Sequence, residues 1–309
     1  MRLTRSISGL LLLDKPLGIS SQQAVTKVKY AFQAEKAGHT GTLDPLATGM
    51  LPICLGEATK FSRYLLDAPK TYYVVAQLGV RTDTGDAAGE IIEQKPVAEN
   101  IATKIDGILK NFQGQIQQIP PMYSAIKFQG KALYKLARAG KVVEREPRTI
   151  TIYNLTRIPG ENAEQFALEV TCSKGTYIRT LIEDIGAALG CGAHVMTLRR
   201  LQVNHFSAPQ MWPLSKIKVL TAAGDYAALD TLLLPITVLV EHVPKVIISQ
   251  MQAKRLQQGV AIPLITSTLM DTVQIITETD DFIGIGEIQT EGILSPKRLM
   301  RFSTLKMTK

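Results

Sequence analysis

The stretch Gly38-His39-Thr40-Gly41-Thr42-Leu43-Asp44-Pro45-Leu46-Ala47-Thr48-Gly49 places one carboxylate and one imidazole among three glycines and a proline. Glycine and proline at this density specify a shaped loop, not a helix or strand interior. Asp44 precedes Pro45, so its backbone is pushed toward extended geometry and the direction of its side chain is constrained. A loop that fixes one acid near one imidazole is a candidate reaction centre, with the acid as nucleophile or base. The same composition is also ordinary turn chemistry, and taken alone it favours a turn.

The elements that must position this loop follow from periodicity. Leu10 to Leu13 form a continuous apolar run that reads as a buried strand. Ser20 and Gln23 fit an S-x-x-Q capping box, and Val25, Val28 and Phe32 continue it at helical spacing. A strand is predicted over 50–55, then a helix on Ala58, Phe61 and Leu65. Another strand covers 71–78 and is rich in Tyr and Val, so Tyr72 and Tyr73 point to opposite faces. A helix over 100–112 carries Ile101, Ile105 and Ile108. Pro120-Pro121 breaks the chain before a short helix over 134–139. Further strands are predicted over 149–155, 166–172 and 194–203, with a helix over 177–189 that ends at Gly190. No repeating βαβ unit emerges. The predicted class is α+β, with a mixed, largely antiparallel sheet. Beyond Pro235 and Pro244, strand patterns over 272–277 and 282–288 indicate a small β-rich module. The expected division is residues 1–245 and residues 246–309.

The 309 residues carry a formal charge of +8, which points to an acidic partner, nucleic acid being the usual one. Between 127 and 141 there are five basic residues (Lys127, Lys131, Lys135, Arg138, Lys141) and no acid, with Tyr123 and Tyr134 interleaved. That pattern suits RNA backbone contacts, as does the pair Arg199-Arg200, and both equally suit a solvated face. Residues 295–309 hold five basic residues (Lys297, Arg298, Arg301, Lys306, Lys309) and no acid, either a frayed end or a phosphate-contacting strip. Three cysteines are too few and too scattered for a disulfide framework, and Cys54 and Cys172 read as core. Cys191 and His194 make one C-x-x-H without a second pair at zinc spacing, so no metal site is expected. The apolar run at 10–13 is too short for a signal segment, and no run reaches membrane-span length. A cytoplasmic protein is the consistent expectation.

Five segments carry a specific resemblance. They are DKPLGISS (14–21), GHTGTLDPLATGMLPICLGEATK (38–60), KTYY (70–73), CSKGTYIRT (172–180) and HVMTLRRL (194–201). In this order, over roughly residues 9 to 205, they resemble the pseudouridine synthase family that modifies the T-loop of transfer RNA. The resemblance implies an isomerase that converts uridine 55 of the T-loop to pseudouridine by base flipping. It implies tRNA, through its T-arm, as partner, no cofactor, a monomer, and a PUA-like RNA-binding domain at the C-terminal end. Asp44 matches the family's catalytic carboxylate. Attack on the sugar C1′, attack on uracil C6 and abstraction of the C2′ proton all remain open as its route. Arg179 matches the arginine that pairs with this carboxylate. A buried acid stays ionised only beside a cation, and a guanidinium suits a two-point contact better than lysine does. Tyr72 matches the tyrosine that stacks on the target base, with a core tyrosine as the alternative and Tyr73 as the internal control. His39 matches a histidine near the flipped-out base, or is a turn histidine. Leu198 and Tyr177 match the uracil pocket. Lys15 matches a lysine beside the active-site loop, as support or as a phosphate contact. Two other functions remain: an RNA chaperone that refolds tRNA without chemistry, alone or as an added role, and a glycosylase that stops after bond cleavage.

Overall fold

In the computed structural model, which describes residues 4–158, 164–264, 269–289 and 292–301, Leu10 to Leu13 are all fully buried. Their strand, Gly9–Lys15, is covered on both faces, which is why its sequence is apolar at successive positions and does not alternate. It belongs to a nine-stranded sheet. The order is Trp212–Pro213, Gly9–Lys15, Thr48–Leu55, Ala193–Val203, Lys70–Leu78, Gln165–Cys172, Arg148–Ile158, Gly114–Gln118, with Ala37–His39 added beside Thr48–Leu55. All pairings are antiparallel except Gly9–Lys15 with Trp212–Pro213 and Thr48–Leu55 with Ala193–Val203. The α+β, largely antiparallel expectation holds.

The pleat separates two cores. Leu11, Leu13, Leu51, Ile53, Val74 and Ala76 face the helices Ser21–Ala31 and Ile178–Ala188. Leu10, Leu12, Met50 and Cys54 face the opposite way, toward Phe61, Leu65, Ile236 and Leu239. The first helix starts at the expected box: Ser20 Oγ accepts from the Gln23 N–H, and Gln23 Oε1 accepts from the Ser20 N–H. The helix expected on Ala58, Phe61 and Leu65 is instead a 3₁₀ segment, Gly56–Phe61, followed by a single α-turn, Arg63–Leu66. Thr59 and Ser62 donate their hydroxyls to carbonyls three residues back, which competes with the regular α ladder.

The parallel junction at the centre of the sheet is only two residue pairs long, Arg199 with Thr48 and Arg200 with Gly49. Gly49 has φ +95°, and a Cβ there would lie 2.3 Å from the Arg200 carbonyl oxygen. Both the backbone region and the close approach demand glycine. Gly49→Ala is therefore expected to lower stability by about 3 kcal/mol or more, read as a thermal or urea midpoint shift. An unchanged midpoint would mean that the junction relaxes freely.

The C-terminal residues form a five-stranded sheet in the order Lys245–Ile248, Met270–Thr277, Phe282–Ile288, Ile293–Leu299, Ile262–Pro263, with the helix Gln250–Gln257. This β-rich unit has its own core (Leu256, Ile262, Val273, Leu294) and also packs on the body through Ile276, Phe282 and Ile285. Phe61 meets Phe282 edge-on at 5.4 Å. Lys60 Nζ donates to both Glu57 Oε2 and the Leu299 carbonyl. In the basic stretch after 295, Lys297 pairs with Glu287, and the Arg301 N–H donates to Glu57 Oε2. In the described part of that stretch, Lys297 and Arg301 are thus paired and Arg298 is exposed on the strand Ile293–Leu299, while Lys306 and Lys309 lie outside the described residues. Cys54 and Cys172 are core thiols that burial pushes up to about 12 and about 11. Among the described residues no helix is long and apolar enough to cross a membrane.

Candidate active site

The loop carrying Asp44 enters the strand Thr48–Leu55 and is clamped from both sides. Ser21, at the start of the first helix, takes both backbone groups of Leu43: its Oγ accepts from the Leu43 N–H at 2.8 Å and donates to the Leu43 carbonyl at 2.9 Å. The Gly18 N–H donates to the Pro45 carbonyl, and the Ala47 N–H to the Asp44 carbonyl. Lys15 is fully buried beneath the loop and donates to the carbonyls of Pro16 and Ile19, with Pro45 at 3.5 Å. Burial lowers its pKa to about 8, and the nearby Asp44 charge opposes that shift. Lys15 therefore supports the loop. Its ammonium is turned inward onto these carbonyls and not toward the surface.

Asp44 Oδ2 accepts from Arg179 Nε at 2.9 Å. Arg179 is the second residue of the helix Ile178–Ala188, and its guanidinium is held at three more points. Its Nη1 donates to the Thr84 carbonyl and its Nη2 to the Tyr123 carbonyl, both at 2.7 Å, and Asp86 Oδ2 lies 3.8 Å from Nε. The arginine side chain is 5% exposed and the Asp44 side chain 37% exposed, so the pair presents its carboxylate, not its cation, to the outside. Burial pushes the Asp44 carboxyl above the usual carboxylate value, Arg179 pulls it down, and Asp86 pushes it up again. The result is a carboxylate more basic than a free one, beside a fixed positive charge.

Asp44 and Arg179 line a cavity of about 280 Å³ together with Tyr72, Tyr177 and Leu198. Tyr72 is buried at the cavity wall, and the pleat turns Tyr73 to the other side of the sheet. Burial raises the Tyr72 phenol and Arg200 opposes this, so the phenol stays protonated at neutral pH. Five of the seven expected residues therefore share one cavity. Lys15 lies under its floor, and His39 is not among its lining residues. His39 Nδ1 accepts from the Gly41 N–H, and burial followed by Arg200 lowers its pKa, which keeps the ring neutral.

Arg199 and Arg200, which the sequence offers either as RNA backbone contacts or as a solvated face, form no shared surface of either kind. The strand sends the two side chains to opposite faces. Arg199 forms a two-point fork with Asp14 at 2.9 and 2.8 Å. Arg200 is 1% exposed and donates Nε to the Met50 carbonyl and Nη2 to the Gly41 carbonyl, tying the Asp44 loop to its strand. Lys70, to which the sequence assigns no role, and Tyr123, which it offers only within the basic stretch, also line the cavity. Lys70 closes the back of the cavity with Nζ donating to the carbonyls of Leu65, Leu66 and Ala68. Tyr123 gives Arg179 a backbone carbonyl, a contribution that no residue type announces.

Residues 29–178 match the model of the TruB family pseudouridylate synthase (N terminal domain). Residues 179–241 match the tRNA pseudouridylate synthase B C-terminal domain, and residues 244–300 match pseudouridine synthase II TruB, C-terminal. The chain is 48% identical to tRNA pseudouridine synthase B of Coxiella burnetii (strain RSA 493 / Nine Mile phase I), over 96% of each chain. It is 49% identical to tRNA pseudouridine synthase B of Stutzerimonas stutzeri (strain A1501), over 97% of this chain and 98% of that one. Among solved structures, a chain in the crystal structure of a Cbf5-Nop10-Gar1 complex superposes with a TM-score of 0.70 at 29% identity, covering 96% of this chain and 86% of that chain. A buried arginine aimed at a basic carboxylate beside an aromatic wall, in a chain alike to these relatives from end to end, leads to one conclusion: the chain belongs to the TruB family of pseudouridylate synthases.

Proposed function

We propose that this enzyme isomerises uridine 55 in the T-loop of tRNA to pseudouridine, with Asp44 as the catalytic carboxylate. The observation that carries the reading is the Asp44–Arg179 pair at 2.9 Å in a cavity walled by Tyr72. The isomerisation breaks the bond between C1′ and N1, turns the uracil, and forms a bond between C1′ and C5; C5 gives up its proton to solvent and N1 takes one up, so no atom is gained or lost. It is redox-neutral and adds no water, so a carboxylate, a cation and a stacking surface supply what it needs. The target base must leave its stack, which costs a few kcal/mol, and Tyr72, Tyr177 and Leu198 offer it a replacement surface. The reading includes a monomer that acts on cytoplasmic tRNA. Residues 1–245 would carry the reaction and residues 246–309 would serve as a PUA-like RNA-binding domain.

An added tRNA-refolding role is favoured by one feature. Lys127, Lys131, Lys135, Arg138 and Lys141 are all exposed on the segment that follows the cavity residues Tyr123, Ser124 and Ala125, with Arg138 5.6 Å from the Tyr134 ring.

The test is tritium release from C5-tritiated uridine in an unmodified tRNA transcript. Release by the wild type and none by Asp44→Asn is expected. No release by folded, tRNA-binding wild type would overturn the reading and favour binding alone. Free uracil among the products would instead mark a glycosylase. In the same assay Tyr72→Ala should lower kcat/KM by about 5- to 150-fold, the equivalent of losing about 1–3 kcal/mol of base stacking, while Tyr73→Ala stays within about 3-fold. Equal losses would remove Tyr72 from the stacking role.

A further inference from the structure

Four cations line the cavity, and three are already fully engaged. Arg179 holds Asp44 and two carbonyls, Arg200 holds two carbonyls, and Lys70 holds three. All three are buried. The fourth, Lys174, is 62% exposed at the side chain and stands on the rim, in the turn before the helix Ile178–Ala188. Its only partner among the described residues is Asp67 Oδ1 at 2.8 Å, on a side chain itself 58% exposed. Asp67 directly follows Leu66, which lines the cavity, and lies close in sequence to the lining residue Lys70. An exposed ion pair of this kind contributes about 0–1 kcal/mol, so it exchanges partners readily.

We infer that Lys174 holds a backbone phosphate flanking the flipped nucleotide, and that Asp67 is its resting partner, given up when RNA binds. The inference rests on the base-flipping reading above. A flipped base enters the cavity, but its two phosphates cannot follow into a site whose other cations are already engaged. They stay at the mouth, where Lys174 is the lining cation with an accessible ammonium. Asp67 presents like charge to the same phosphates, so it opposes RNA approach unless Lys174 lies between them. Releasing Lys174 costs little, and the new partner is an anion that the substrate must bring with it.

The test uses equilibrium binding of a T-arm hairpin RNA to the full chain, which reads affinity whether or not chemistry follows. One hairpin carries ordinary phosphates, and two others replace the phosphate on either side of the target uridine with a neutral methylphosphonate. Lys174→Met is expected to weaken binding of the ordinary hairpin by about 3- to 5-fold at 200 mM salt and to reduce the log–log salt slope by about 0.7, the signature of one lost single-strand phosphate contact. One methylphosphonate should weaken binding to the wild type by a similar factor and have no further effect on Lys174→Met. Asp67→Asn should tighten binding by about 2-fold in the wild type, and by at least as much in Lys174→Met, where no cation lies between the carboxylate and the phosphates. An unchanged affinity and slope in Lys174→Met overturns the inference, as does a methylphosphonate penalty of equal size in both proteins. Absence of tritium release by a wild type that shows these binding effects would overturn the catalytic reading and leave the phosphate contact standing.

Discussion

Asp44→Asn is expected to lower tRNA turnover by about 10³-fold or more while leaving tRNA affinity within a few-fold. The amide keeps the size of the side chain and can still accept from Arg179 Nε, so the loop clamped by Ser21 and Lys15 keeps its shape. It cannot carry negative charge, attack a carbon or take a proton. The same substitution carries a stability signature. Burial raises the carboxyl in the folded protein above its unfolded value of 3.8. A carboxyl raised in this way favours the fold below the unfolded value, and that contribution is lost as pH rises through the folded value. At neutral pH the ionised form therefore opposes folding, and Asp44→Asn should leave the thermal midpoint unchanged or slightly higher. Single-turnover rates, filter binding and melting curves on one preparation check all three. Joint loss of turnover, binding and stability would make Asp44 a structural residue of the loop.

Arg179→Lys should cost about 10²–10³-fold in turnover, the second largest effect, although it preserves the positive charge. The guanidinium serves Asp44 and the carbonyls of Thr84 and Tyr123 at once, from three different nitrogens. An ammonium on a shorter, unbranched stem cannot reach all three. Asp44 is then left with its burial and the Asp86 charge, both of which push its carboxyl up, and with a weaker opposing cation. The acid limb of the pH–rate profile should move to higher pH in Arg179→Lys than in the wild type, because a larger fraction of Asp44 is protonated at each pH. A profile that falls in height without moving would assign Arg179 to orientation alone, and a loss under 10-fold would remove it from the reaction.

Much of the scaffold was readable from local pattern, because strands and helices in this chain obey the periods that their burial imposes. The double-sided burial of Leu10 to Leu13, the Ser20–Gln23 box and the strand carrying Tyr72 are local facts of sequence. The segment after Gly56 was less legible. Its apolar spacing fits an α-helix, yet hydroxyl bonds from Thr59 and Ser62 tighten it to 3₁₀. The two arginines at 199 and 200 show a different limit. A basic pair in a one-dimensional string suggests a shared surface, and only the strand pairing reveals that one side chain forks onto Asp14 while the other is sealed behind the Asp44 loop.

Which carboxylate, which arginine and which tyrosine are candidates can be read along the chain, since the loop chemistry around Asp44 and the segments that resemble the family are contiguous stretches. Tertiary structure alone decided what those groups are worth. Asp44 and Arg179 meet because the Thr48–Leu55 strand, which follows the Asp44 loop, and the Ala193–Val203 strand beside the Ile178–Ala188 helix join across the short parallel junction that Gly49 permits. Two of the Arg179 anchors are backbone carbonyls from Thr84 and Tyr123, which any residue could have supplied. The electrostatics likewise depend on depth. The same lysine type is a buried brace at 15, a cavity wall at 70 and an accessible rim cation at 174, because desolvation and the nearest carbonyls or carboxylates, not side-chain identity, set what a charge can do.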